Sequence, residues 1–284
     1  MKYMRNYLND IEIVGATMCY KEGEQCRWSI DWLIENCDRV LVLLDNWDEK
    51  TENIVLDYKN RFPEKVFVKY SNEAPGSRDL IHGQVKRRFK LRQNFIREQA
   101  IKGLRELHDK KPIDLLIWPD SDEVFINQFP SILENFWYNK KEYDFMMLGF
   151  LEIYDSFRIL ISQKMAPHGR VFHYNPEMSA HPYQPRTVYF PFNLKRPLKV
   201  RNVVIHLNHF TEEYRKRRQF FDNVDMMTEC VRYVWFLPKD LREMTVDEIA
   251  EYQFGHRQAP PKYAPILLEE YLNNKEYYNN KYNI

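Results

Sequence analysis

Apolar residues recur along the first 120 positions in two alternating rhythms. Ile11 to Cys19 is nearly continuous in apolar and small residues and reads as a buried strand. Glu24 to Cys37 follows with Trp28, Trp32, Leu33 and Cys37 at helical spacing. Arg39 to Leu44 is an unbroken apolar run after its first residue, the pattern of a strand covered on both faces. Thr51 to Phe62 predicts a second helix, stopped by Pro63, and Lys65 to Tyr70 alternates as a strand. A long helix is predicted over Gln84 to His108, with a stripe that includes Phe89, Ile96, Ala100, Leu104 and Leu107. Ile113 to Trp118 is another buried strand. The order βαβαβαβ predicts an α/β fold with a mostly parallel central sheet and helices on both faces.

The second half changes character. Tyr143 to Tyr154 reads as extended, 163–200 as short pieces rich in Pro, His and aromatic residues, and Val200 to His206 as a further strand. Thr211 to Cys230 predicts a charged helix, and the Asn-, Tyr- and Lys-rich stretch from Tyr271 to Ile284 is expected to be peripheral.

Composition narrows the class. The 284 residues carry 42 basic and 41 acidic side chains, a formal net charge of +1, which disfavours a dedicated nucleic-acid packer. A hydrophobic content of 44% excludes a disordered chain. With only 8 glycines, and neither the Rossmann nor the Walker pattern, a Gly-rich phosphate loop is not expected. The opening MKYMRNYLND lacks the apolar core of a signal peptide, and the longest aliphatic run, Val40 to Leu44, is far too short to span a bilayer. Cys19, Cys26, Cys37 and Cys230 have no CxxC or zinc-finger spacing, so buried, reduced thiols in a cytoplasmic protein are expected.

The chemistry concentrates at strand ends. Leu115-Leu-Ile-Trp-Pro runs directly into Asp120, Asp122 and Glu123. In open α/β sheets ligands sit beyond the carboxyl ends of the strands. Carboxylates gathered there repel one another unless a cation neutralises them, and acids at i and i+2 can share one hard divalent ion. The plainer alternative is an acidic turn that caps the next helix. Asp45 ends the Val40–Leu44 run in the same way and is suited to accept hydrogen bonds from a base or ribose, with Asp48 or Thr51 free to cap the following helix. Glu22 follows the first strand at the same edge.

Four features in order carry a resemblance: the turn Cys-Tyr-Lys-Glu, the strand ending Leu-Asp-Asn-Trp-Asp-Glu-Lys-Thr, Leu-Arg-Gln-Asn-Phe in the long helix, and Ile-Trp-Pro-Asp-Ser-Asp-Glu. Together, over about residues 11–126 and more loosely over 143–210, they resemble family 2 glycosyltransferases of the GT-A fold. The resemblance implies a GT-A catalytic domain over 1–210 and a helical C-terminal extension over 211–284 packed on it. It implies a hexosyl- or pentosyltransferase that moves sugar from a nucleotide-sugar donor, a UDP-sugar, to an acceptor hydroxyl with inversion, aided by Mn²⁺ or Mg²⁺. Residue by residue, Asp45 matches the acid that contacts the nucleobase, and Asp120 and Asp122 match the motif that holds the metal on the diphosphate. Arg92 matches the basic residue near the phosphates, and Thr17, Tyr20 and Glu22 match the first nucleotide-contacting loop. Two departures stand out: Gln93 separates Arg92 from Asn94, and Trp47 stands where the family has a small residue.

Inversion needs a general base opposite the leaving group. Glu152, Asp155, Glu177 and His181 are the candidates, His181 lying where relatives carry a His-Glu pair but followed here by Pro182. Each also reads as an ordinary polar residue of a loop or strand. The resemblance further implies a third metal ligand from a histidine, His206 or His209.

Rival readings keep the fold but change the chemistry to nucleotidyl transfer, or replace catalysis with nucleic-acid binding. Residues 86–105 carry net +7 and 195–218 net +6, leaving the remainder at −12. Acids thus gather at strand ends and bases on segments able to meet phosphates. The acceptor is expected to be a glycan, with a nucleic acid such as a modified DNA base as the alternative.

Overall fold

The computed structural model describes residues 8–19, 22–45, 48–71, 84–126, 129–153, 158–160, 168–180, 188–189, 196–206 and 266–267; within these, the side chains of 84–94, 150–153, 158–160, 168, 188–189, 201–202, 206 and 266–267 lie outside the description. The chain divides into two compact units.

The first unit comprises Met1–Arg78, Arg88–Gly149 and Pro167–Val204. Its sheet begins with four parallel strands in the order β3-β2-β1-β4: β1 (Ile13–Cys19), β2 (Arg39–Leu44), β3 (Val66–Tyr70) and β4 (Leu115–Ile117). Every residue of β2 and β4 is buried, as their unbroken apolar runs require. Helices α1 (Cys26–Asn36) and α2 (Glu49–Arg61) cover one face; Tyr58 of α2 donates to Asp31 of α1 at 2.5 Å. The contact of α1 with β1 demands a glycine, since a Cβ on Gly15 would lie 2.7 Å from Leu33 Cδ2 and 3.0 Å from Cys37 Sγ. The other face belongs to α3 (Gln84–Lys110), whose Gly103 approaches Leu41 and Lys69 with the same tightness, 2.9 Å to each from an added Cβ. Between α3 and the sheet lies the main core, with Val14, Leu41, Leu104, Leu116 and Trp118 among its members.

Beyond β4 the direction reverses. β8 (His168–His173) pairs antiparallel with β4, and the first part of β6 (Phe145–Ile153) pairs antiparallel with β8 across an irregularity between Met146 and Met147. β5 (Glu123–Phe125) pairs with β11 (Pro197–His206), and Ile126 N–H donates to Val203 at 3.0 Å. Helix α4 (Phe129–Tyr138) buries Phe129, Leu133 and Phe136, with Phe125 and Phe129 stacked at 4.2 Å. A separate two-stranded ladder joins β9 (Ser179–Ala180) and β10 (Val188–Tyr189). This is the α/β class predicted, with helices on both faces of the parallel strands and an antiparallel contribution from the second half.

The second unit comprises Asp79–Arg87, Phe150–Ala166 and Ile205–Ile284. It holds the first residues of α3, the last of β11, and a small antiparallel arrangement in which the end of β6, β7 (Arg158–Leu160) and β12 (Ile266–Leu267) pair through Ile153↔Ile159 and Ile159↔Ile266. The helix predicted at 211–230 and the stretch 271–284 lie outside the described residues. Among the described residues no helix is long and apolar enough to cross a membrane.

At the amino ends of the parallel strands a buried cation ties helix to sheet. Arg39 donates to Glu12 at 2.5 Å and to the carbonyls of Leu107 and Lys111 at 2.6 and 2.7 Å. Those carbonyls lie in the last turn of α3 and just past its end, where the helix dipole favours a positive charge.

Candidate functional site

The carboxyl ends of the strands are brought level by backbone hydrogen bonds that continue the ladders past their last residues. Asp45 N–H donates to Cys19 O at 2.8 Å, Ser71 N–H to Leu44 O at 2.9 Å, and Trp118 N–H to Arg170 O at 2.7 Å. Asp45, Ser71 and the segment after Trp118 therefore lie along one edge, and Asp45 and Ser71 are both buried.

The turn after Trp118 is built from both sides. Asp120 O accepts from Glu123 N–H at 3.1 Å, and Asp120 N–H donates to Glu123 Oε2 at 3.1 Å, closing a tight reciprocal loop. Beneath it Ser29 of α1 places its hydroxyl 2.5 Å from the Glu123 carbonyl and 2.8 Å from that of Ser121. One proton can serve only one of these acceptors at a time, so Ser29 is a shared donor for the turn. The consequence is convergence: one carboxylate oxygen from each of Asp120, Asp122 and Glu123 lies within 4.8 Å of the others.

Such crowding needs positive charge, and β8 provides it. Arg170, which is 4% exposed, donates through Nε to Glu123 Oε2 at 2.7 Å, through Nη2 to Asp120 Oδ2 at 2.6 Å, and through Nη2 also to Glu123 Oε1. Burial works against the charged guanidinium, but the fields of Asp120, Glu123 and Asp122 outweigh it and drive its pKa further up. On the other side of Asp120, the buried Arg97 of α3 brings Nη2 to 4.0 Å from Oδ1 and lays its guanidinium 5.6 Å above the Trp118 ring. The Cys19 thiol registers the same negative field: its pKa is raised first by its hydrogen bond with Cys26 and by burial, then by Cys26, Glu22 and Asp122. Glu22 and Asp122 thus both act on the end of β1.

Of the residues singled out in the sequence, Asp45, Asp120, Asp122 and Glu22 lie at this edge. Thr17 is buried in β1 on the α1 side with Gly15, and its hydroxyl has no hydrogen-bond partner among the described residues. Asp48 accepts from Thr51 N–H at 2.9 Å and caps α2, while Thr51 accepts from Gly23 N–H at 3.0 Å. Arg92 lies in α3 and Glu152 in β6, with side chains outside the description; His206 ends β11 under the same condition. Tyr20, Trp47, Asp155, His181 and His209 lie outside the described residues.

Glu177 is not brought to the site. It follows β8, and Tyr174 N–H donates to Asp114 O at 2.9 Å, beside the amino end of β4. That is the edge opposite the carboxylate turn. The antiparallel direction of β8, not predicted from the sequence, puts it there.

Arg170 and Arg97 were not predicted as site residues. For Arg170 the signal was a charged residue immediately before the apolar pair Val171-Phe172 in a buried strand, a placement that demands a buried counter-charge. Arg97 interrupts the apolar stripe of α3 next to Ile96, which is the same kind of signal.

No family model matches the chain, and no curated protein matches it. Solved structures give partial likenesses. Glucosyl-3-phosphoglycerate synthase from Mycobacterium tuberculosis, crystallised with Mn²⁺, UDP and phosphoglyceric acid, is 13% identical, with 52% of this chain and 46% of that one covered and a TM-score of 0.32. S. aureus TarS is 12% identical over 88% of this chain and 44% of that one, with a TM-score of 0.40; its 1–349 fragment is 12% identical over 86% and 72%, with a TM-score of 0.41. The chain spans less than half the length of the first two.

Proposed function

We propose that this protein is a metal-dependent glycosyltransferase that moves a sugar from a UDP-sugar to an acceptor hydroxyl, the acceptor being a glycan, with inversion at the anomeric carbon. The observation that carries the reading is the convergence of Asp120, Asp122 and Glu123 beyond the carboxyl end of β4, on the edge that also holds Asp45. The donor set fits a hard divalent cation. The candidate ligand atoms are carboxylate oxygens within 4.8 Å of one another, the chemistry that Mg²⁺ or Mn²⁺ prefers over thiolate or imidazole sites. When bound, such an ion neutralises charge building on the leaving diphosphate.

The protein's own part is positioning. Asp120 and Asp122 would hold the ion, with His206 or His209 proposed as a further ligand. Asp45 accepts hydrogen bonds from the base or ribose. Arg97, already beside Asp120, adds fixed positive charge near the phosphates. Glu152, Asp155 and His181 are the candidates for the base that takes the acceptor proton.

A thermal-shift series tests this reading. UDP with Mn²⁺ should raise the unfolding temperature, since a ligand at 100 times its dissociation constant adds about 2.7 kcal/mol to stability. Chelation or Asp122→Asn should remove the shift. A UDP shift of equal size with chelator present contradicts it.

A further inference from the structure

Three acids meet at the turn, but the protein treats them unequally. Glu123 is 2% exposed and accepts from Arg170 through both of its carboxylate oxygens, while one of those oxygens also accepts from Asp120 N–H. Asp120 gives Arg170 a single oxygen, and its side chain is 38% exposed. Arg170 itself comes from β8, the strand that packs beside β4 through Ile117↔Val171, so its position is fixed by the sheet and not by the turn.

We propose that Arg170 is a positioning residue and that Glu123 is its anchor rather than a metal ligand, so that the pair sets the geometry in which Asp120 and Asp122 take the ion. This rests on the reading of the turn as a divalent-metal site. A guanidinium fork can hold two oxygens of one carboxylate and reach a second carboxylate, fixing directions as well as charge. Glu123 so engaged has its oxygens directed at a cation and a backbone N–H. Arg170 also lowers the formal charge of the four side chains from −3 to −2, which a divalent ion balances. Lysine, a point charge, would keep the charge balance but not the fork.

Mn²⁺ binding, followed by titration calorimetry on the full chain with UDP present, separates the roles. Asp122→Asn should lose binding. Glu123→Gln should still bind, weakened by no more than Arg170→Lys, because the ion's ligands are kept while the anchor is loosened. Arg170→Lys should weaken it about 10–100-fold while the circular dichroism spectrum is unchanged, the usual cost of disturbing a residue that orients a metal ligand. Glu123→Gln that is folded and binds no Mn²⁺, or Arg170→Lys that binds as tightly as the parent, overturns the proposal. If either variant fails to fold, a crystal structure of the parent protein with Mn²⁺ and UDP decides. Glu123 should remain on Arg170, whereas a Glu123 oxygen on the ion overturns the assignment. A parent protein that binds no Mn²⁺ at all overturns instead the metal-site reading on which the proposal stands.

Discussion

His173 shows how the interior sets the charge of a single side chain. Its ring stacks on Phe136 at 4.4 Å and leans on Trp137 at 5.6 Å. Burial, and then the nearby Lys140 ammonium, push the imidazole down to about 4 from an ordinary 6.5, against the opposing pull of Asp144 and the Tyr143 backbone. The folded state therefore holds His173 neutral. Below pH 6.5 the unfolded chain takes up a proton that the folded chain refuses until about pH 4, so the stability His173 contributes is complete above 6.5 and is lost as pH falls toward 4. His173→Phe keeps the stacking and removes the titration. Urea midpoints measured across this range should fall less steeply in the variant, and parallel profiles would contradict the assignment. Arg170 and Arg39 follow the complementary rule. Each is buried and paired, Arg39 with Glu12 and Arg170 with Glu123 and Asp120, so removing Glu12 leaves the Arg39 charge uncompensated, at a cost of about 3–5 kcal/mol.

At the scale of elements, the strand ends matter more than the strands. α2 starts at Glu49 because Asp48, in extended conformation, accepts from Thr51 N–H at 2.9 Å, while Thr51 Oγ1 donates to Asp48 at 2.6 Å. Asp48→Ala should lower stability by about 1 kcal/mol, read as a lower urea midpoint with an unchanged slope. An unchanged midpoint would mean the cap contributes nothing. The elements from β1 to β4 were legible because each combines a clear period with a clear stop: Pro63 after α2, and continuous apolar runs in β2 and β4. The acids at Asp45 and Asp120–Glu123 were legible because they terminate those runs. Arg170 and Arg97 were harder to read, since their partners lie in other elements, 47 and 50 residues from Arg170 in β5 and its preceding turn and at that same turn for Arg97, and no local spacing joins them. The place of Glu177, after an antiparallel strand, was illegible for the same reason. Strand direction in the second half is set by pairing with β4, which short, irregular apolar pieces do not encode.

Across the whole molecule the near-zero net charge conceals a separation of signs. In the first unit the separation acquires a geometry: acids at the carboxyl ends of the parallel strands, and two buried arginines on either side of Asp120. A cluster this negative is stable only with cations close by, and two protein cations against Asp120, Asp122, Glu123 and the nearby Glu22 leave room for a divalent ion. The side chains of the basic stretch at 86–92 lie outside the description, so a nucleic-acid acceptor gains no support from the structure. The most direct test of the central claim is release of UDP from a panel of UDP-sugars with Mn²⁺ and acceptor saccharides, comparing the parent protein with Asp122→Asn. A bound metal supplies several kcal/mol of charge stabilisation in such a reaction, so turnover should fall about a thousandfold in the variant and in the parent under chelation. Turnover that is unchanged by both would contradict the account.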